Sequence, residues 1–164
     1  MEFRKATVSD HQEIVSIYKT AIKAMADSGI NQWDDIYPSA DILLQDIENA
    51  EMHLGIIDGI VAVAYTLNKS YDPQYDNGSW SCEGQSFSVL HRICVNPLFQ
   101  NKGVATLAGK HIEEFLKSEG TKSIRLDAFS LNPGSLKLYN KLGYIKVGET
   151  RFRKGLFYLF EKKL

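Results

Sequence analysis

The chain has 164 residues, 44% of them hydrophobic and 24% charged, with 19 Lys and Arg against 20 Asp and Glu. This length and composition predict one globular domain over 1–164 and exclude a disordered, collagen-like or disulfide-framework protein. The formal net charge of −1 argues against a protein that wraps nucleic acid or lies on an anionic membrane. Two cysteines, no signal-peptide pattern and no apolar run long enough for a membrane span make a cytoplasmic location the expectation.

Helical and strand patterns alternate along the chain. Alternating apolar residues predict strands, and apolar residues three or four apart predict helices. The expected elements are strand Phe3–Val8, a helix capped by Ser9 and reaching Ala26, a loop over Ile30–Pro38, a helix capped by Ser39 and reaching Ile47, strands Met52–Ile57 and Ile60–Leu67, a polar and aromatic excursion over Asn68–Gly84, strand Gln85–Val95, helix Gly103–Ser118, strand Ile124–Phe129, a helix starting after Asn132, and strands Tyr144–Glu149 and Leu156–Lys162.

The order of these elements restricts the sheet. Asp58-Gly59 between two apolar runs predicts a tight antiparallel hairpin. The strand-helix-strand passage from Val89 to Phe129 requires parallel pairing instead. A mixed α/β sheet with helices on both faces is therefore expected.

The segment with the most chemical information runs from Val95 to Ala105, where a strand ends and a glycine precedes a helix. The first turn of a helix has unpaired backbone N–H groups and a partial positive charge, and both suit a pyrophosphate. Gly103 permits close approach of the backbone, and the small Ala105 keeps the contact open. A Walker P-loop and the dinucleotide-binding GxGxxG are both absent, so a plain glycine-containing helix start remains an alternative at this point.

Two motifs together resemble the GNAT N-acetyltransferase superfamily. Gln100-x-x-Gly103-x-Ala105 is similar to the acetyl-CoA signature of that family, and Val95-x-Pro97 to its usual lead-in. Downstream, Asn132, Ser135, Tyr139, Gly143 and Tyr144 have the spacing of a second family motif, in which Ala and Phe are common at the Ser135 and Tyr144 positions. The resemblance implies a single-domain, mostly antiparallel sheet in which the fourth and fifth strands are parallel and splay apart.

The resemblance also implies an acetyl-CoA site. The backbone of the turn would bind the pyrophosphate, the pantetheine arm would follow the fourth strand, and Asn132 and Tyr139 would contact the cosubstrate. The implied cofactor-binding residues are Ile93, Cys94, Val95, Gln100, Asn101, Lys102, Gly103, Val104, Ala105, Asn132 and Tyr139. For Lys102 a solvated lysine, for Asn132 a plain N-cap and for Tyr139 a packed aromatic are the structural alternatives.

Acetyl transfer to an amine requires a base, an oxyanion donor and an acid. Tyr139 is the candidate general acid for the departing thiolate, and the backbone N–H of Cys94 or Val95 is a candidate donor. His91 is the candidate base, with Glu83 and a water chain as rivals. Cys94 invites a ping-pong scheme, but a buried strand thiol is the favoured interpretation.

The acceptor is expected at Trp33, Asp34 and Tyr37, an aromatic and acidic loop suited to an ammonium group, although a solvated acidic loop has the same composition. Tyr71, Tyr75 and Trp80 suit a lid or a homodimer contact. No metal is expected, because the histidines lack ligand spacing. The sequence therefore predicts acetyl transfer from acetyl-CoA to a primary amine. A non-catalytic CoA-binding sensor and an interaction domain without CoA are the alternatives.

Overall fold

The computed structural model describes residues 1–82 and 84–164, and Glu83, one of the rival bases, lies outside the described residues. The strands are β1 Glu2–Lys5, β2 Met52–Ile57, β3 Ile60–Asn68, β4 Phe87–Val95, β5 Ser123–Phe129, β6 Ile145–Phe152 and β7 Gly155–Lys163. The helices are α1 His11–Asp27, α2 Ala40–Glu48, α3 Val104–Ser118 and α4 Pro133–Lys141, with short 3-10 turns at Val8–Asp10, Pro73–Asn77 and Pro97–Phe99. None of the helices in the described part of the chain is long and apolar enough to cross a membrane.

The strands form one seven-stranded sheet in the order β1-β2-β3-β4-β5-β7-β6. β4 and β5 are parallel over Phe87↔Ser123 to Val89↔Arg125. The pairs β1–β2, β2–β3, β5–β7 and β6–β7 are antiparallel. The predicted mixed, mostly antiparallel sheet with one parallel pair is confirmed.

The chain divides into two compact units, and β4 and α3 each contribute residues to both. The first unit contains Met1–Leu67 and His91–Ala108. Its core is the apolar face of α1 and α2 packed on β2 and β3, with Ile14, Tyr18, Leu43, Met52 and Leu54 essentially inaccessible to water. Burial of such side chains stabilises the fold by about 1.5–3 kcal/mol each.

The second unit contains Asn68–Leu90 and Gly109–Leu164. Tyr75, Val89 and Leu159 form a small core there, and Trp80 and Phe87 pack against it. The carboxylate of Glu161 accepts from the backbone N–H and the hydroxyl of Ser81 at 2.7 and 2.6 Å. These bonds fasten the segment around Ser81 to β7.

The start of α1 differs from the expectation. Ser9 is not the N-cap, since a 3-10 turn occupies Val8–Asp10 and α1 begins at His11. The Thr7 N–H donates to Asp10 Oδ2 at 2.7 Å, and Arg4 Nη1 and Nη2 reach the same carboxylate at 2.8 Å. Asp10 therefore orders this end of the helix, and β1 stops at Lys5 rather than Val8.

Candidate active site

The turn after β4 is anchored by a buried asparagine. Asn96 Oδ1 accepts from the N–H of Leu98 at 3.1 Å, and its Nδ2 donates to the carbonyl of Val61 at 2.9 Å. The backbone N–H of Asn96 donates to the carbonyl of Ala62 at 2.9 Å. Asn96 therefore fixes where the chain leaves the sheet, a role that the sequence interpretation missed.

The turn itself presents backbone toward open space. Asn101 and Gly103 have φ values of +60° and +81°, in the left-handed region that glycine adopts most easily. A Cβ built on Gly103 meets no atom within 4 Å. Gln100, Asn101 and Lys102 are exposed, whereas Val104 is buried and fixes the start of α3. A bulky anionic group can therefore reach the backbone here.

The first turn of α3 supplies the donors. Leu107 N–H bonds to the carbonyl of Gly103 at 3.0 Å, and the N–H groups before Leu107 have no carbonyl within the helix to pair with. Gln100 Nε2 donates to the carbonyl of Val95 at 3.3 Å and ties the turn to the end of β4. Lys102 Nζ lies 5.6 Å from the centre of the Phe99 ring. These residues fit a diphosphate, which carries negative charge and accepts many hydrogen bonds.

The predicted strand residues lie along the second half of β4. His91, Ile93 and Val95 are half-buried, and Cys94 is buried. Burial raises the pKa of the Cys94 thiol to about 12. A thiol of this kind stays protonated at neutral pH, which is unsuited to nucleophilic attack.

Arg92 interrupts the extended backbone of β4. Its φ is +51°, uncommon for a residue with a side chain. The hydroxyl of Tyr18 donates to the Arg92 carbonyl at 2.5 Å. Burial raises the pKa of Tyr18 well above its usual range, so this hydroxyl keeps its proton.

The side chain of Arg92 belongs to a partly buried polar network that the sequence interpretation did not find. Arg92 Nε and Nη2 donate to the Asp46 carboxylate at 2.9 and 2.7 Å, and Thr66 donates to the same carboxylate at 2.8 Å. Arg92 Nη1 donates to the hydroxyl of Tyr37 at 2.9 Å. The signal available in the sequence was an arginine at an inner position of a largely apolar strand.

The predicted acceptor loop is held by its own contacts. Trp33 packs on Tyr18 with ring centres 5.6 Å apart. Asp34 Oδ1 accepts from the N–H groups of Ile36 and Tyr37 at 3.1 and 3.2 Å. That carboxylate oxygen therefore shapes the loop. The structure links Tyr37 of this loop to β4 through Arg92.

In the second unit, α4 carries the second motif. Asn132 is its N-cap, with Oδ1 accepting from the N–H of Ser135 at 3.1 Å. Tyr139 is buried, with its ring 5.6 Å from Tyr144 and 5.9 Å from Phe160. Burial, and next the negative charge of Asp127, raise the pKa of Tyr139 well above its usual range. The phenol therefore remains a proton donor at neutral pH.

The same unit contains a carboxylate that was not predicted. Asp127 of β5 accepts a 2.7 Å hydrogen bond from the hydroxyl of Tyr75. The signal in the sequence was, again, a charged residue inside a strand that also contains several apolar residues. Within residues 1–82 and 84–164, no three His, Cys, Asp or Glu side chains come together in a way that suits a metal ion.

Comparison with known proteins shows which family and which folds this chain resembles. A model of the Acetyltransferase (GNAT) family matches residues 17–144. A GNAT-family acetyltransferase from Streptococcus agalactiae 2603 has the same fold with a TM-score of 0.86 at 24% identity, over 99% of this chain and 95% of that one. The yncA protein of Salmonella typhimurium, solved with its cofactor acetyl-CoA, gives a TM-score of 0.71 at 18% identity, over 99% of this chain and 93% of that one.

Sequence similarity to one further protein covers a shorter stretch of the chain. The N-acetylaspartate synthetase of Danio rerio is 31% identical over 70 residues, which are 43% of this chain. The matched part spans a quarter of that relative's length, 25%.

Proposed function

This chain belongs to the acetyltransferase (GNAT) family, and we propose that it transfers an acetyl group from acetyl-CoA to a primary amine by direct attack in a ternary complex. The observation that carries the proposal is the turn between β4 and α3. There, left-handed Asn101 and Gly103 open the helix N-terminus to an anionic group. The cytoplasmic location and the single domain over 1–164 stay predictions.

The backbone of 100–105 would hold the pyrophosphate of acetyl-CoA, and Asn132 would contact the cosubstrate from the N-terminus of α4. Acetyl-CoA supplies an activated thioester carbonyl when bound. The N–H of Cys94 or Val95 would donate to the carbonyl oxygen as it gains negative charge, which lowers the barrier. The strand Ile93–Val95 would lie along the pantetheine arm.

Proton movements balance the transfer. The new bond joins the amine nitrogen to the acetyl carbon, and the bond from that carbon to sulfur breaks. His91 would accept the proton that the amine loses, and Tyr139 would give its phenolic proton to the departing sulfur. Solvent then takes the proton from His91 and restores one to Tyr139, which returns both side chains to their starting states. Tyr139 carries its proton at neutral pH, as a general acid must when the reaction begins.

Direct attack is favoured over a ping-pong scheme by the state of Cys94. A thiol that is buried and has a pKa raised to about 12 is a poor nucleophile. Initial rates measured against both substrates should therefore give intersecting double-reciprocal lines. Parallel lines would contradict the ternary complex and support an acetyl-cysteine intermediate.

The central experiment measures release of CoA thiol with a panel of amines, including amino acids, diamines and lysine peptides. Tyr139→Phe should lower kcat by about 10²–10⁴-fold. Tyr144→Phe is the matched control, since it removes a neighbouring hydroxyl and installs the ring that is common in the family. Thermal stabilisation by CoA without turnover of any amine would instead support the sensor alternative.

The turn is tested separately by Gly103→Ala. A methyl group at φ +81° costs about 1 kcal/mol in strain and moves the backbone of the turn, so the KM for acetyl-CoA should rise. Gly29→Ala is the control, because Gly29 has φ +78° and equally open surroundings but lies at the end of α1. An equal rise in both variants would exclude a specific role of the turn.

A further inference from the structure

We propose that Tyr18 is a positioning residue for the acetyl transfer. Its hydroxyl holds the left-handed turn of β4 at Arg92, and this hold aims the N–H groups of the next residues at the acetyl carbonyl. The inference rests on the proposed function, in which the N–H of Cys94 or Val95 donates to the carbonyl oxygen, and it names the side chain that fixes this donor. All of the residues involved belong to the first unit.

The backbone of β4 is unusual at Arg92. Four non-glycine residues in the described part of the chain have a positive φ, and three of them, Ala50, Asp58 and Asn101, lie in turns between elements. Arg92, with a φ of +51°, is the one that lies inside a strand. A residue with a side chain is rarely found in this region, because its Cβ crowds the following carbonyl. The conformation therefore needs contacts that hold it.

The Tyr18 hydroxyl fixes the peptide unit that follows this φ. Tyr18 is 1% exposed on the buried face of α1, and it donates to the Arg92 carbonyl at 2.5 Å. The Arg92 carbonyl and the Ile93 N–H belong to one planar trans peptide unit, in which they point in opposite directions. A bond that fixes the carbonyl therefore also fixes the direction in which the chain enters residues 93–95.

The side chain of Arg92 is held independently of its carbonyl. Its Nε and Nη2 donate to Asp46 of α2 at 2.9 and 2.7 Å, and its Nη1 donates to Tyr37 at 2.9 Å. Helix α1 thus holds the backbone of Arg92, and α2 holds its guanidinium. Because the two holds use different atoms, removal of the Tyr18 hydroxyl leaves the Arg92 ion pair in place.

The far end of the donor segment is also fixed. The N–H of Asn96 donates to the carbonyl of Ala62 at 2.9 Å, and its Nδ2 donates to the carbonyl of Val61 at 2.9 Å. Residues 93–95 therefore lie between two anchors, with Tyr18 at the start and Asn96 at the end. Donors whose direction is fixed before the reaction stabilise a developing oxyanion without further reorganisation.

The loop expected to receive the acceptor contacts both side chains of this arrangement. The Trp33 ring lies 5.6 Å from the Tyr18 ring, centre to centre, and the Tyr37 hydroxyl accepts from Arg92. Tyr18 and Arg92 therefore place the donor segment relative to that loop. Reacting groups that are held in the correct mutual geometry react faster than groups that must first find it.

The test uses the full chain and three single variants. Tyr18→Phe keeps the ring and removes the hydroxyl that holds β4. Tyr65→Phe is the matched control, because Tyr65 is also 1% exposed but stacks on His53 of β2 with ring centres 5.5 Å apart. Tyr37→Phe removes one bond to the Arg92 side chain, and it decides the question if Tyr18→Phe is too unstable to assay.

The first measurement is independent of turnover and uses NMR. The three-bond HN–Hα and one-bond Cα–Hα couplings of Arg92 distinguish a left-handed backbone from an extended one. Wild type and Tyr65→Phe should give left-handed values, whereas Tyr18→Phe should move toward extended values and change the amide shifts of Ile93 and Cys94. Left-handed couplings that persist in Tyr18→Phe overturn the proposal.

The second measurement compares acetyl-CoA with acetyldithio-CoA, in which sulfur, a weaker hydrogen-bond acceptor, replaces the carbonyl oxygen. With the best amine from the panel, Tyr18→Phe should lower kcat for acetyl-CoA by about 10–100-fold and leave its KM within about twofold. The fall in kcat should be smaller for the dithioester, because its reaction depends less on the donor. Tyr37→Phe should show a weaker change in the same sense, and Tyr65→Phe should change neither rate.

The outcomes separate positioning from a general structural effect. Equal falls in kcat for both thioesters in Tyr18→Phe, or an unchanged kcat, overturn the inference and leave the proposed function intact. If Tyr18→Phe cannot be assayed, an unchanged ratio of the two kcat values in Tyr37→Phe overturns it. If wild type acetylates no amine, the proposed function fails, and the couplings of Arg92 still decide whether Tyr18 holds β4.

Discussion

Each unit of the molecule keeps one arginine side chain largely out of water, and the positive charge is compensated differently in the two units. Arg92 of the first unit is 11% exposed and makes two hydrogen bonds to Asp46, which is 8% exposed. Arg125 of the second unit is 7% exposed and lies against the faces of Trp80 and Phe87. Among the described residues, Arg125 Nε has no hydrogen-bond partner.

The carboxylates near the two arginines therefore interact with them differently. Asp46 directly neutralises Arg92, whereas Glu161 takes its hydrogen bonds from Ser81 and Cys82 and stands 3.9 Å from Arg125. A buried charge that depends on one carboxylate is lost with that carboxylate. A guanidinium held by ring faces depends instead on the rings. The difference predicts which substitutions destabilise each unit.

The largest effect is expected for Asp46→Ala. Without its carboxylate the Arg92 guanidinium remains buried and uncompensated, so the free energy of unfolding should fall by about 3–5 kcal/mol. Urea denaturation measures it. Asp27→Ala is the control, since its ion pair with Lys23 is solvent-exposed and should contribute far less to stability. Equal losses in the two variants would contradict the contrast between buried and exposed pairs.

Glu161→Gln should have the next largest effect, a loss of about 1.5–3 kcal/mol from weaker bonds to Ser81 and Cys82. Burial tends to raise the pKa of Glu161, but the hydrogen bonds from Ser81 and Cys82 outweigh burial and the pKa is lowered. The stabilisation by Glu161 is therefore complete above the unfolded pKa of about 4.3 and disappears as the pH falls through the lower folded value.

Denaturation curves over acidic pH test this dependence. The unfolding free energy of wild type should fall as the medium is acidified, and Glu161→Gln should lack the part that Glu161 contributes. If Glu161→Gln and wild type lose stability in parallel on acidification, the carboxylate does not act as described.

Tyr37→Phe should produce the smallest effect. It removes the oxygen that accepts from Arg92 Nη1 and leaves both bonds to Asp46 in place, so the loss should be about 1 kcal/mol. Thermal denaturation at matched pH measures the change. Tyr71→Phe, whose side chain is 44% exposed, is the control and should change stability by less than about 0.5 kcal/mol. A larger loss of stability in Tyr37→Phe than in Asp46→Ala would contradict the view that Asp46 is the main partner of Arg92.

Elements with strong local signals were predicted closely. β2 has its predicted bounds of Met52–Ile57, because Asp58 and Gly59 both adopt positive φ and form the expected tight turn. Ser39 caps α2 through the N–H of Ile42 at 3.3 Å, as predicted. In such cases the residues that decide the structure are neighbours in sequence.

Elements decided by distant partners were predicted less well. β6 runs over Ile145–Phe152 rather than ending at Glu149, because its pairing with β7 continues to Phe152↔Gly155. The cap at Ser9 was wrong because Asp10, bound by Arg4, orders that turn instead. A pattern within one element contains no information about which strand or side chain will reach it.

The features of the candidate site also fall into those set by neighbouring residues and those set by distant contacts. The sequence by itself determined the glycine turn at Gly103 and the caps of α2 and α4, since φ preferences and side-chain bonds to nearby N–H groups act over a few residues. Tertiary structure alone decided that Asp46 meets Arg92 and that Tyr75 meets Asp127, across 46 and 52 residues of chain. Polar and charged residues that are far apart in the sequence form a site only when folding brings them within hydrogen-bond distance. Tertiary packing sets that distance.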